Sequence, residues 1–149
     1  MLNNRRRYAR VEIKIVHRDG QFPFRKRATD AGYDVAAISR TTIEPHSVVN
    51  VDTGIIVSPP EGVYFSVEGR SSLWRIGIVP FRGIIDATYQ GPLMVAIVNN
   101  SPNQYTIEAG DRIAQLILHE TINADFMAVA EFSQYDGGRT TEGFGSSGR

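Results

Sequence analysis

The chain has no cysteine among its 149 residues, which excludes disulfides, thiolate nucleophiles and cysteine-ligated zinc together. Its three histidines, His17, His46 and His119, lie far apart and form no HExxH-type pair, so spacing gives no support to a histidine metal site. No apolar run approaches membrane-spanning length and no signal-peptide pattern opens the chain. A soluble intracellular protein with no membrane partner is the expectation. Charge of one sign is also missing. Sixteen basic residues balance sixteen acidic ones, leaving no global field to capture nucleic acid, and none is expected as a partner.

What is present reads as one domain large enough to bury a core. Val11, Ile13 and Ile15 alternate with Glu12 and Lys14, the period-2 signature of a half-buried strand. Further strands are predicted over Ala31–Ile38, Val48–Val51, Ile55–Val57, Val63–Val67, Ile113–Leu118 and Phe126–Phe132, with Tyr105–Glu108 leading into the tight turn Ala109–Arg112. Short strands separated by Gly, Pro and Asn/Asp turns indicate an all-β sandwich or jelly roll with little helix. Residues 1–10, with Arg5, Arg6, Arg7 and Arg10, read as a solvated basic tail.

Three stretches carry chemistry. In Glu68–Gly77 a serine N-cap, one or two helical turns and a glycine stop predict a short helix, and Arg70 beside it makes a candidate anion site. An ordinary cap with a surface arginine fits the same residues. From Gly83 to Asn99, two strand-like arms flank the turn Ala87–Pro92 and read as a β-hairpin. Asp86 interrupts an apolar strand end, and Tyr89 follows three residues on. Together they suggest a small-molecule site at the hairpin mouth, although a turn cap and a surface ring would give the same pattern. From Ser133 to the end, glycine and small polar residues dominate around a lone Phe144. Such a segment does not fold alone. Its Gly145, Ser146, Ser147 and Arg139 would nevertheless suit an arm that orders over a phosphorylated ligand.

The order and spacing of five blocks, AGYDVAA, GRSSL, GIIDATYQG, GDRIAQL and RTTEGFGSSG, resemble those of the homotrimeric all-β dUTPases from about Val11 to Gly148. The resemblance implies a single-domain, jelly-roll-like β fold over residues 1–132 and a flexible arm over 133–149. It also implies magnesium-dependent hydrolysis of dUTP to dUMP and pyrophosphate, limiting uracil in DNA and supplying dUMP for thymidylate. Three subunits would build three sites, each from segments of more than one subunit, and the setting would be cytoplasmic, or the host cell interior for a viral protein. By position, Asp86 would activate the water that attacks the α-phosphorus, and Tyr89 would lie under the deoxyribose. Backbone groups around Gly83, Ile84, Ile85 and Met94 would read uracil. Arg70, Ser71, Ser72 and Gln115 would hold phosphates, while Arg139, Phe144, Gly145, Ser146 and Ser147 would close over base and terminal phosphate. Asp34 matches a carboxylate near the magnesium ion, reached through water.

The chain departs from the family pattern in four places. Thr88 stands where an acidic residue is common, and Ser72 replaces a glycine. The segment from Leu73 to Arg82 is shorter, with Pro80 near the position of a frequent asparagine. Thr140 and Glu142 stand where glycines are usual. The related dCTP deaminases often show GRSSL too, but their chemistry needs a glutamate where this chain has Ala96. A fold that kept its architecture and lost activity is the rival from another class. Intact Asp86, Tyr89 and Phe144 argue against it.

Overall fold

The computed structural model describes residues 10–131. Eleven strands and one short helix occur among them: β1 (Lys14–His17), β2 (Gly32–Ala36), β3 (Thr41–Ile43), β4 (Val48–Asp52), β5 (Ile55–Ser58), β6 (Val63–Gly69), α1 (Ser71–Trp74), β7 (Ile78–Pro80), β8 (Gly83–Ile85), β9 (Met94–Asn99), β10 (Tyr105–Ile107) and β11 (Arg112–Glu120). The largest sheet has the order β2-β11-β6-β8; a second is β4-β9-β7, and the pairs β1-β5 and β3-β10 complete the sandwich. All named pairings are antiparallel. The all-β, jelly-roll-like expectation with one short helix holds.

The core is built mostly from β-branched side chains, which suit a pleated, two-layer surface. Ile43, Ile55, Ile78, Ile97, Ile107 and Ile113 are almost completely buried. Asn99 is the instructive buried polar residue. Its Nδ2 donates to the carbonyls of Ile43 (3.0 Å) and Asn103 (2.7 Å), and its Oδ1 accepts from the amide (2.9 Å) and hydroxyl (2.7 Å) of Ser101. With every polar hydrogen and the acceptor used, burial carries no unpaired-group penalty, and the end of β9 is tied to β3.

The structure corrects four local expectations. β8 and β9 do not pair with each other: β8 joins β6, and β9 lies between β4 and β7. The predicted hairpin is therefore a crossing between two sheets. The expected strand over Phe126–Phe132 does not form within the described residues; the chain there is exposed and unpaired. A short apolar run becomes a strand only where it finds a partner, and residues 126–131 pair with no strand among the described residues. No serine side chain caps α1, whose N-cap residue is Arg70. The first strand starts at Lys14 rather than Val11, where pairing to Ser58 begins. The basic tail over 1–10, apart from Arg10, and the whole arm over 133–149 lie outside the described residues.

Candidate active site

Side chains at paired positions share a face, so the registers of the large sheet sort the functional residues. Leu116, Val67, Phe65 and Ile85 point into the core. The opposite face carries Asp34, Gln115 and Glu68 in one row, Ile117, Ser66 and Ile84 in the next, and His119 with Tyr64 beyond. The predicted phosphate-binding residues gather at one end of this face and the predicted base and sugar site at the other.

At the first end, Asp34 Oδ1 lies 3.1 Å from Arg70 Nε and Asp34 Oδ2 lies 3.0 Å from Arg112 Nη1. Arg70 Nη1 also donates to the Arg112 carbonyl at 2.9 Å. Gln115 Nε2 donates to the Gly69 carbonyl at 3.4 Å, which sets its amide beside the chain leading into Arg70. A Cβ on Gly32 would press on the Gln115 side-chain amide, which would have to swing aside. Ser71 and Ser72 are exposed at the start of α1. An open cavity of about 250 Å³ lies below, walled by Arg70, Arg112 and Tyr105. Burial, and then the Asp111 carboxylate, raise the Tyr105 phenol above its ordinary value, so it stays neutral.

At the other end, β8 is the outer strand of its sheet. β7 pairs with β9 only at Ile97, Val98 and Asn99, and the Phe81 amide adds a bond to Ala96 O at 2.8 Å. Beyond that point the chain peels away to β6, and no backbone bond joins Gly83–Ile85 to Met94 or Val95. The backbone edges of both segments are left open, which is what reading the rim of a flat base requires. Leu93 anchors the second arm, its amide donating to Ile55 O at 2.9 Å. Asp86 is exposed in an open cleft of about 500 Å³ with Tyr64, Ile84, Ala87 and Thr121. Tyr89 folds over its own turn, its hydroxyl donating to Pro92 O at 3.4 Å. It lies so close to Gly91 that a Cβ there would be 2.1 Å from the hydroxyl.

These two ends do not meet within one chain. Ile85 stands opposite Phe65, and Arg70 comes five residues later, just past the end of that strand at Gly69, about 17 Å away at ~3.3 Å per residue. Neither cavity contains both Asp86 and Arg70. Arg139, Phe144, Gly145, Ser146 and Ser147 lie outside the described residues.

Sequence reasoning missed Arg112 and the cluster beside Asp86. There Ser66 Oγ and His119 Nε2 are 2.8 Å apart, and the Tyr64 ring stacks on His119 with centroids separated by 4.9 Å. The alternation of β6 and β11 contained the signal for the cluster, because Tyr64 and Ser66 share a parity; the pairing register that adds His119 was not readable. Arg112 was hidden by a β-bulge between it and Ala114.

An all-β sandwich with an open backbone edge at one end of a sheet face and a braced arginine at the other suits the class of all-β nucleotide hydrolases. The chain belongs to the dUTPase family, whose profile matches residues 18–148. It is 36% identical over 137 residues to the deoxyuridine 5'-triphosphate nucleotidohydrolase of Paramecium bursaria Chlorella virus 1, covering 91% of this chain and 96% of that protein. Identity to the enzyme of the same description from Shewanella halifaxensis is 41% over 148 residues, covering 93% and 96%. Among solved structures, Staphylococcus bacteriophage 80alpha dUTPase with dUpNHpp superposes with a TM-score of 0.85 at 28% identity, covering 93% of this chain and 99% of the phage protein. A mutant dUTPase from phage phi11 of S. aureus, described with a structural Mg(II) ion, gives 0.77 at 26% identity and covers 83% and 99%. The chain is accordingly an enzyme that hydrolyses dUTP.

Proposed function

We propose that hydrolysis yields dUMP and pyrophosphate by attack of a water on the α-phosphorus, in a site assembled from three copies of the chain. The observation that supports the shared site is the separation of Asp86 from Arg70 along one sheet face. A head-to-tail arrangement in which the Asp86 end of one copy meets the Arg70 end of the next would complete the site, and a ring closes such an interface without leaving an open edge.

In this reading Asp86 accepts a proton from the attacking water as the P–O bond forms, and the bridging oxygen leaves with the β-phosphate. Phosphoryl transfer depends mostly on positioning and on neutralising charge at the phosphoryl oxygens. Arg70, Ser71, Ser72 and Gln115 do that from one end, and the arm residues Arg139, Ser146 and Ser147 from above. Phe144 stacks on the base and, with the arm, excludes bulk water. Tyr89 packs on the deoxyribose, where a 2′-hydroxyl would clash.

Magnesium would arrive as part of the substrate complex. No group of three or more His, Asp or Glu side chains converges among the described residues, and both Asp34 oxygens already face guanidinium groups. A direct protein cage is not what these residues build. An ion carried by the triphosphate and keeping most of its waters fits them, with Asp34 reaching it through water. Bound there, the ion neutralises phosphate charge. The dUMP product would supply thymidylate synthesis while dUTP removal limits uracil in DNA.

The test is subunit mixing. Asp86→Asn and Arg70→Ala proteins are each nearly inactive in this reading. Unfolded together in equal amounts and refolded, they should recover about a quarter of wild-type activity, because mixed rings each hold one intact site. No recovery from a mixture shown to contain mixed assemblies would refute the shared site. A monomeric mass at full activity would do the same.

A further inference from the structure

The bulge in β11 has a consequence for the phosphate site. Gln115 stands opposite Asp34 and Ala114 opposite Val35, but Arg112, not Ile113, stands opposite Ala36. Ile113 and Ala114 are both buried, at 1% and 0% exposure. Two successive residues therefore point inward, and the extra residue reverses the alternation for what precedes it. In an unbroken strand Ile113 would share the face of Gln115, and Arg112 would turn the other way. The bulge instead brings Arg112 onto the face of Asp34, and its carbonyl accepts the Arg70 bond at 2.9 Å. Bulges disrupt a ladder and recur beside active sites, where they re-aim a side chain.

We infer that Arg112 is a positioning residue that holds Arg70 ready for the triphosphate by occupying one oxygen of Asp34. This inference rests on the reading that Arg70 binds phosphate. Arg70 has five N–H hydrogens. Among the described residues its contacts are an ion pair of Nε with Asp34 Oδ1 and one hydrogen bond, from Nη1 to the Arg112 carbonyl. The Nη2 pair and the second Nη1 hydrogen remain for an anion. A carboxylate with both oxygens free would take a guanidinium in the paired, fork-like geometry that such groups favour. Asp34 would then bind two edges of Arg70 and draw it away from substrate. With Arg112 Nη1 at 3.0 Å from Oδ2, that second oxygen is engaged and Arg70 keeps a single contact to the carboxylate. Arg112 is more exposed than its partners, at 52% against 21% for Asp34 and 22% for Arg70. It can therefore be exchanged without opening the core.

The experiment measures dUpNHpp and dUMP affinity, dUTP kinetics and melting temperature for full-length Arg112→Gln, Arg112→Lys, Arg70→Ala and the Arg70→Ala/Arg112→Gln double variant, all with magnesium. Arg112→Gln should bind dUpNHpp about 10-fold more weakly, a loss of ~1.4 kcal/mol, with dUMP affinity and melting temperature unchanged. Arg112→Lys should recover most of the loss, because an ammonium can still occupy Oδ2. The double variant should bind no more weakly than Arg70→Ala, since Arg112 acts only through Arg70. Additive losses would overturn the inference and make Arg112 a direct phosphate ligand. Equal losses for dUpNHpp and dUMP, or a lowered melting temperature with no change in affinity, would overturn it in favour of a general structural role. If Arg70→Ala itself leaves dUpNHpp affinity intact, the phosphate reading of Arg70 fails. An effect of Arg70→Ala without one for Arg112→Gln defeats this inference alone.

Discussion

Thr53 and Leu93 are joined by two hydrogen bonds to one oxygen. The Thr53 hydroxyl donates to the Leu93 carbonyl at 2.7 Å, and the Thr53 amide donates to the same atom at 3.2 Å. Thr53 is 1% exposed. The pair fixes the chain immediately before Met94, where the edge proposed to read the base begins, to the corner between β4 and β5. Thr53→Val removes the hydroxyl but leaves the amide bond, so the carbonyl is not orphaned. A loss of ~1 kcal/mol is expected, read as a lowered denaturation midpoint with an unchanged m-value. A loss above about 3 kcal/mol would mean that the hydroxyl carries the anchor by itself.

Thr88 adopts φ 65°, a left-handed conformation that is unfavourable for a β-branched residue by roughly 1–2 kcal/mol. Its amide donates to Pro59 O at 2.8 Å, which holds it there. An acidic residue at this position, common in the family, tolerates that conformation better. Thr88→Asn should therefore stabilise the protein by ~1 kcal/mol, raising the melting temperature by about 2–4 °C. A lower melting temperature would show that the threonine side chain compensates through contacts of its own.

Asp86 stands exposed in its cleft. If it activates the water, Asp86→Asn keeps shape and loses basicity. We expect dUpNHpp affinity within a few-fold of wild type and kcat reduced roughly 10²-fold or more. Steady-state kinetics beside equilibrium binding separate the two, and a near-normal kcat would remove Asp86 from the role.

Gly91 matters for its missing side chain. A Cβ there would press on the Tyr89 ring, so Gly91→Ala should displace the ring and, if Tyr89 packs on the deoxyribose as proposed, move it off the sugar. The expected result is a KM for dUTP raised by about 10-fold and a smaller preference for dUTP over UTP, since the steric rejection of a 2′-hydroxyl is loosened. Unchanged selectivity with a raised KM would show that Tyr89 binds sugar without discriminating.

The strands were legible where a short apolar run is bounded by turn residues. Ile55–Val57, Val63–Val67 and Ile113–Leu118 all lie within strands of the structure, because such a run and its turns are local and need no knowledge of partners. Phe126–Phe132 failed on the same logic: its pattern suits a strand, but pairing depends on an edge elsewhere. The hairpin failed for a related reason. Residues 83–99 contain both arms and a turn, yet β8 finds its partner in β6 and β9 in β4 and β7.

For the site, the residue types and their order were determined by the sequence alone: a carboxylate and a tyrosine after a short apolar strand, an arginine with serines before a helix, a glutamine in a buried strand. Their chemistry is a property of the side chains. What only the tertiary structure decided is which of them meet. Asp34, Arg70 and Arg112 are distant in sequence and share one carboxylate because β2 and β11 pair with a bulge, and a one-residue shift moves every side chain to the other face. Asp86 and Arg70, close in sequence, are held apart because β8 runs back along β6. Register and strand direction are set by the sum of packing over the whole sandwich, so no local stretch of sequence contains them.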